Sequence, residues 1–187
     1  MRIIAGSQKG RRLLSGPGRN VRPTSGRVKE ALFSILGERV VGASLLDLFA
    51  GTGAIGLEAL SRGATHVTFV ESDASTLRIL RANLERCRLD VETEIRSCPA
   101  STFLRERRDR PFDIVFVDPP YRQDSAADVL PSLERSVMIA PGSLVILEHP
   151  TKRAIPSQIG RLDRMRQYRY GDTSLSLFEV RADGTAS

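Results

Sequence analysis

Leu45-Leu46-Asp47-Leu48-Phe49 runs straight into Ala50-Gly51-Thr52-Gly53-Ala54-Ile55-Gly56, and the reading of this passage decides the fold. An apolar run of strand length ends in a glycine turn, and Ala54 to Arg62 then opens a helix that stops at Gly63. Glycine suits such a turn because a Cβ would keep the backbone from closing on a cofactor, while the helix start presents unpaired amides. The next apolar run, Val67 to Val70, ends at Glu71, 20 positions after Gly51. A carboxylate there can accept both ribose hydroxyls of a nucleotide cofactor. Strand, turn, helix and acid together read as a nucleotide-cofactor loop.

The spacing Gly51-x-Gly53-x-x-Gly56 also matches the dinucleotide fingerprint, so a nicotinamide oxidoreductase has to be weighed. Asp47 argues against it. A carboxylate just before the glycines would repel a pyrophosphate, whereas the amino group and sulfonium of S-adenosylmethionine are cationic. A second motif points the same way. The apolar run 112 to 117 ends in Asp118-Pro119-Pro120-Tyr121, which nothing in a dehydrogenase requires. The prolines fix φ and remove two backbone donors, leaving carbonyls to face a guest, and the ring offers a flat stacking surface. Alone, the motif would read as a strand ending in a proline turn. Beside a cofactor loop it reads as a site for a planar amine.

Around these motifs the pattern alternates. Strands are expected at 45 to 49, 67 to 71, 91 to 96, 112 to 118 and 144 to 148, with helices at 54 to 62, 74 to 88, 99 to 107 and 125 to 138, the last bent near Pro131. Alternation of this kind means a parallel α/β sheet. Met165 to Tyr170 and Ser174 to Val180, joined by Gly171-Asp172-Thr173, add an antiparallel hairpin at one edge, giving seven strands. Ahead of the sheet, Thr24 or Ser25 caps a helix whose apolar face is Val28, Ala31, Leu32, Ile35 and Leu36.

The 187 residues suit one compact unit, divided here into a basic extension and helix (1 to 36) and a core (37 to 187). Residues 1 to 30 hold eight basic side chains (Arg2, Lys9, Arg11, Arg12, Arg19, Arg22, Arg27, Lys29) against Glu30 alone, a net +7, so with +6 for the whole chain the rest sums to −1. Glycines between these charges and the apolar pairs Ile3-Ile4 and Leu13-Leu14 suggest an ordered basic hairpin lying along a phosphate backbone. Cys87 and Cys98 form no C-x-x-C pair and His66 and His149 are far apart in sequence, so no metal site is expected. Two thiols without a disulfide framework suit a reducing cytoplasm, and the apolar runs are too short for a membrane span.

Arg22-Pro-Thr-x-x-Arg27-Val-Lys-Glu30, the stretch from Asp47 through Glu58-Ala-x-Ser61-Arg62-Gly63, Val70-Glu71-x-Asp73 and Asp118-Pro-Pro-Tyr121 resemble the bacterial RsmD-type 16S ribosomal RNA (guanine-N2)-methyltransferases over nearly the whole chain. The resemblance implies a Rossmann-like class I S-adenosylmethionine-dependent methyltransferase acting on N2 of a guanine, guanine 966 in that family, during small-subunit assembly. It implies cofactor contacts at Asp47, Ala50, Gly51, Thr52, Gly53, Gly56, Glu71, Ser72, Cys98 and Asp118, catalysis by Asp118, Pro119 and Tyr121, and RNA contacts at Arg2, Lys9, Arg11, Arg12, Arg22, Thr24 and Arg27. The partner is 16S RNA or the assembling subunit, and a cytoplasmic monomer without metal is expected. Gly26 and Cys98 depart from the family, which commonly has an acidic or amide residue at the first and a polar one facing adenine at the second.

The chemistry fits. A guanine amine is a poor nucleophile until acceptors turn it toward sp³ geometry, and Asp118 with the Pro119 carbonyl supplies two acceptors for an amine that only donates. Enzymes of this fold with Asn in place of Asp118 methylate adenine N6 or a glutamine amide, and remain the alternative together with a nicotinamide-dependent oxidoreductase and a non-catalytic RNA-binding module.

Overall fold

The computed structural model describes residues 1–16, 26–89, 93–106, 110–120 and 125–182, without the side chains of 125–128. Tyr121, Arg19, Arg22, Thr24 and the expected cap at Thr24 or Ser25 lie outside the described residues.

Helix α1 (Gly26–Leu36) leads through a 3-10 turn into strand β1 (Ser44–Leu48). There follow α2 (Ala54–Ser61), β2 (His66–Val70), α3 (Ala74–Cys87), β3 (Thr93–Arg96), α4 (Ala100–Phe103), β4 (Ile114–Val117), α5 (Ser125–Glu134), β5 (Leu144–Pro150), β6 (Gln158–Ile159), β7 (Leu162–Tyr170) and β8 (Thr173–Val180). The sheet runs β3-β2-β1-β4-β5-β8-β7-β6. Its first five strands are parallel and β8, β7 and β6 antiparallel. The fold is therefore the α/β sheet expected, with eight strands rather than seven. The eighth is two residues long and pairs only with Leu162 and Asp163, too short to leave a period in the sequence.

Alternation along the strands divides the core into two layers. Leu45, Ile114, Phe116, Leu144, Ile146 and Leu175 face α1, α2, α3 and the N-terminal residues Ile3 and Leu13. Leu46, Val115, Val117, Val145 and Phe178 face α4 and α5.

Strand β7 begins at Leu162, three residues before the expected Met165, and three further elements differ from expectation. Helix α4 is one turn long instead of nine residues, because Arg105 and Glu106 donate to carbonyls three residues back, a tighter turn that does not propagate. Helix α5 ends at Glu134, where the Ser136 hydroxyl accepts from Met138 N–H and donates to the Leu133 carbonyl. On α1 the buried face is Val28, Lys29, Leu32, Phe33 and Leu36, so it is turned toward Lys29 and Phe33 and away from Ala31 and Ile35. An ion pair described below draws it there.

Candidate functional site

The strand order reverses between β1 and β4, each of which has neighbours leading away in opposite directions. In doubly wound sheets ligands bind outside the carboxyl ends of the strands at that switch point. Both sequence motifs are there. In register, Val70, Leu48, Val117 and Leu147 form one row across β2, β1, β4 and β5. The next row is Glu71, Phe49 and Asp118, just past the ends of β2, β1 and β4, with Glu148 still inside the longer β5. With neighbouring strands about 4.8 Å apart, Glu71 and Asp118 stand roughly 10 Å from each other. Asp118 N–H donates to the Leu48 carbonyl at 3.4 Å, which fixes the acid beside the glycine loop.

The loop is held by carboxylates. Glu71 accepts from Gly51 N–H at 3.0 Å and from Asp73 N–H at 2.8 Å, one on each oxygen. Each oxygen keeps a second lone pair, so the group can still accept hydroxyls. Asp47 is 2 % exposed, and its Oδ2 accepts from Gly56 N–H, the third residue of α2, at 3.1 Å. Gly53 at the helix start has no side chain to cap with, and Asp47 does that from the neighbouring strand. Burial pushes its carboxyl up to about 7, the Gly56 hydrogen bond pulls it down and the Glu71 charge adds to the rise. Asp73 caps α3 through Thr76 N–H at 2.7 Å, and its hydrogen bonds from Ser75 and Thr76 hold its carboxyl down at about 2. Ser72 is exposed at this edge, and Cys98 follows β3 there, half-buried against the α4 layer.

The glycines are needed for a reason other than the one the motif suggested. A Cβ on Gly53 would run into Leu80, and one on Gly56 into the Phe69 ring and Val67. Gly53 lets the start of α2 lie close to α3, and Gly56 lets α2 lie close on the sheet. Only Gly51 (φ +56) has open space where its Cβ would be, so of the three it alone leaves room for a guest. The expected free amides at the helix start are also fewer, since Asp47 takes that of Gly56. Phe49 has φ 66, a left-handed backbone that a bulky side chain rarely adopts, so the turn toward the loop is strained.

The N-terminal segment is the hairpin expected. Arg2 and Arg12 bridge antiparallel, and Ile3 N–H donates to the Arg11 carbonyl at 3.0 Å. It is fastened to α2 by residues that the sequence motif contained without explaining. Glu58, fully buried, accepts from Ile4 N–H at 2.8 Å, Ala5 N–H at 3.0 Å and Arg62 Nε at 2.9 Å, and pairs with Lys29 Nζ at 2.8 Å. Ser61 bonds Ala5 and Gln8. Burial pushes the Glu58 carboxyl up, but Lys29, Ile4 N–H and Arg62 outweigh it and hold it below the usual range. Lys29, one of the eight basic side chains of residues 1 to 30, is not available to a phosphate: fully buried, it donates to Glu58 and to the Arg2 carbonyl. Arg2, Lys9, Arg11, Arg12 and Arg27 are exposed. Arg11 also donates to the Arg86 carbonyl on α3.

Two residues escaped the sequence reading. Asn83, fully buried on α3, accepts from Leu14 N–H at 2.7 Å and donates to the carbonyls of Leu14 at 3.1 Å and Thr52 at 3.0 Å. It joins the basic hairpin to the glycine loop, and no local pattern signals that. Glu148, 4 % exposed, lies beside Asp118 in the terminal row. A carboxylate ending an apolar run was the available signal. A shallow depression lined by Arg39, Gly42, Asp113 and Glu179 opens at the amino ends of the strands, away from these residues.

Residues 1–179 match the family model described as conserved hypothetical protein 95. The chain is 34% identical over 184 residues to ribosomal RNA small subunit methyltransferase D of Escherichia coli K12, covering 98% of this chain and 92% of that one. A solved structure of the Escherichia coli protein yhhF is similar with a TM-score of 0.88 at 34% identity, covering 98% of this chain and 99% of that one. An RNA methyltransferase from Salinibacter ruber, solved with S-adenosyl-L-homocysteine, shares the fold at a TM-score of 0.67 and 18% identity, over 86% of this chain and 95% of that one.

Proposed function

Because the chain belongs to the conserved hypothetical protein 95 family, that of the small-subunit ribosomal RNA methyltransferases D, we propose that it methylates N2 of a guanine in 16S ribosomal RNA. The observation that carries this reading is the terminal row of the sheet, in which an amine acceptor, Asp118, stands about two strand spacings from a hydroxyl acceptor, Glu71.

The cofactor is S-adenosylmethionine, which supplies a methyl group already activated on a sulfonium. The residues present suit it. Glu71 has lone pairs left for ribose hydroxyls, Gly51 leaves open space over the loop, and Asp47, raised to about 7 by burial, supplies negative charge once a cation draws off its proton. Ser72 and Cys98 border the same edge, with Ala50 and Thr52 as the loop's remaining members.

Asp118 orients the acceptor. Its carboxylate takes one hydrogen of the guanine N2 amine and the Pro119 carbonyl the other, so the nitrogen lone pair is freed from the ring and aimed. Orientation of this kind is worth roughly 7 to 11 kcal/mol, and against an activated methyl it is the larger part of the catalysis. The proton left on nitrogen after transfer is acidic and goes to water. Tyr121 stacks on the base, and the exposed Arg2, Lys9, Arg11, Arg12 and Arg27, with Arg22 and Thr24, hold the RNA. The setting is the assembling small subunit in the cytoplasm.

Labelled S-adenosylmethionine incubated separately with 16S RNA, small-subunit particles and DNA, followed by digestion to nucleosides, tests this. Label is expected in N2-methylguanosine from the RNA or the particles. Label in N6-methyladenosine, or in none of the three, would refute the assignment.

A further inference from the structure

The remainder of −1 outside the first 30 residues conceals a second concentration of charge. Residues 152 to 170 carry Lys152, Arg153, Arg161, Arg164, Arg166 and Arg169 against Asp163 alone, a net +5, so all residues outside both stretches sum to −6. The chain has three tyrosines, and two of them, Tyr168 and Tyr170, alternate here with Arg166 and Arg169. The third is Tyr121.

Some of these cations are structural. Arg161 pairs with Glu134 at 3.3 Å, and Arg164 donates to the Ile155 carbonyl at 2.6 Å. Arg166 and Arg169 are exposed, as is Met165 between Arg164 and Arg166. Strand β6 covers β7 at Leu162 and Asp163 and Arg164 N–H donates to the Ser157 carbonyl, so among the described residues no strand pairs with the outer edge from Met165 to Tyr170.

Register relates this strand to the site. Tyr168 pairs with Leu175, and Leu175 pairs with Glu148, which is level with Asp118. One row thus runs Asp118, Glu148, Leu175, Tyr168, and three strand spacings put Tyr168 about 14 Å from Asp118. Leu175 and Leu177 belong to the layer that holds α1 and the N-terminal hairpin, so their partners Tyr168 and Arg166 lie on that same side. The hairpin is fastened over α2 and α3, and β7 lies toward the other edge of the sheet, with β4 between them.

We propose that β7 from Arg166 to Tyr170 is a second RNA surface, which takes the single-stranded RNA flanking the target guanine. This rests on the methyl-transfer reading above. Arg166 neutralises a phosphate and Tyr168 offers a stacking face on that side, the pairing that single-strand binders use, and Arg169, opposite Ser174 and so on the other face of the same edge, adds a second phosphate contact. The competing reading is that charge merely protects an edge strand from aggregation. Tyr170 is half-buried against the core, but protection explains only the arginines and has no use for Tyr168 on the side that carries Asp118.

The test is RNA binding across a salt series with the full chain and a 16S fragment containing the target. Arg166→Ala/Arg169→Ala should weaken binding and lower the salt slope by about 1.4 units, since each lost phosphate contact to a single strand removes about 0.7. Its KM for RNA should rise while cofactor affinity and melting temperature hold. Tyr168→Ala should lose about fivefold or more in RNA affinity, and Tyr168→Phe should match the parent. If the slope stays at the parental value while Arg11→Ala/Arg12→Ala lowers it, β7 is only a solvated edge and the proposal fails alone. If the parent protein itself neither binds nor methylates the fragment, the methyl-transfer reading fails and takes this one with it.

Discussion

At the scale of single residues, Asp47 connects the stability of the loop to its charge. Its carboxyl is raised from 3.8 to about 7, so the folded state holds a proton that the unfolded chain releases. The sign follows: this group contributes stability at low pH that is lost as pH rises from about 4 to 7, at up to ~1.4 kcal/mol per pH unit. Asp47→Asn removes the titration, so its stability relative to the parent should improve over that interval in urea unfolding at pH 5, 6 and 7. A cationic cofactor favours the ionised form, so binding at pH 6 should release a proton, seen as a calorimetric heat that changes with buffer, and the Asn variant should not show it. The glycines act separately. Gly56→Ala forces a methyl into the Phe69 ring and should cost roughly 1–3 kcal/mol of stability by chemical denaturation.

Among the elements, α2 does two things at once. Its first turn is set by Asp47 and its second half carries Glu58 and Ser61, which fasten the hairpin. Glu58→Ala strands Lys29 as a buried unpaired charge and should cost about 3–5 kcal/mol. The amides of Ile4 and Ala5 should then exchange faster with solvent than those of β1, and equal protection in parent and variant would refute this role. The elements themselves were legible in the sequence because hydrophobic period and glycine punctuation are local. The apolar runs 45 to 49 and 67 to 71 lie within a residue of β1 and β2. What could not be read depends on contacts between distant residues. Lys29 looks like one more basic side chain until Glu58 is brought to it, and Asn83 looks like a helix-surface amide until Leu14 and Thr52 arrive. The glycine motif was recognised for its spacing, but which glycine faces the helix packing and which the open space is settled only by Leu80 and Phe69.

At the scale of the whole molecule, charge and chemistry occupy different parts of one sheet. The basic hairpin and β7 flank the switch point, and the carboxylates Asp47, Glu71, Asp118 and Glu148 are gathered on it. Replacing Arg11, Arg12 and Arg22 with Ala should therefore flatten the salt dependence of RNA binding by about one unit per lost contact and leave cofactor affinity unchanged. A filter-binding salt series checks it. The central claim is that the fold brings an amine acceptor on β4 to a cofactor site on β1 and β2, each with its own residues. Single-turnover methyl transfer to 16S RNA by Asp118→Ala, with calorimetry of S-adenosylmethionine on the same preparation, tests that most directly. Transfer should be abolished while the cofactor dissociation constant stays near the parental value, and a variant that keeps most of its transfer rate, or that loses the cofactor along with it, would contradict the account.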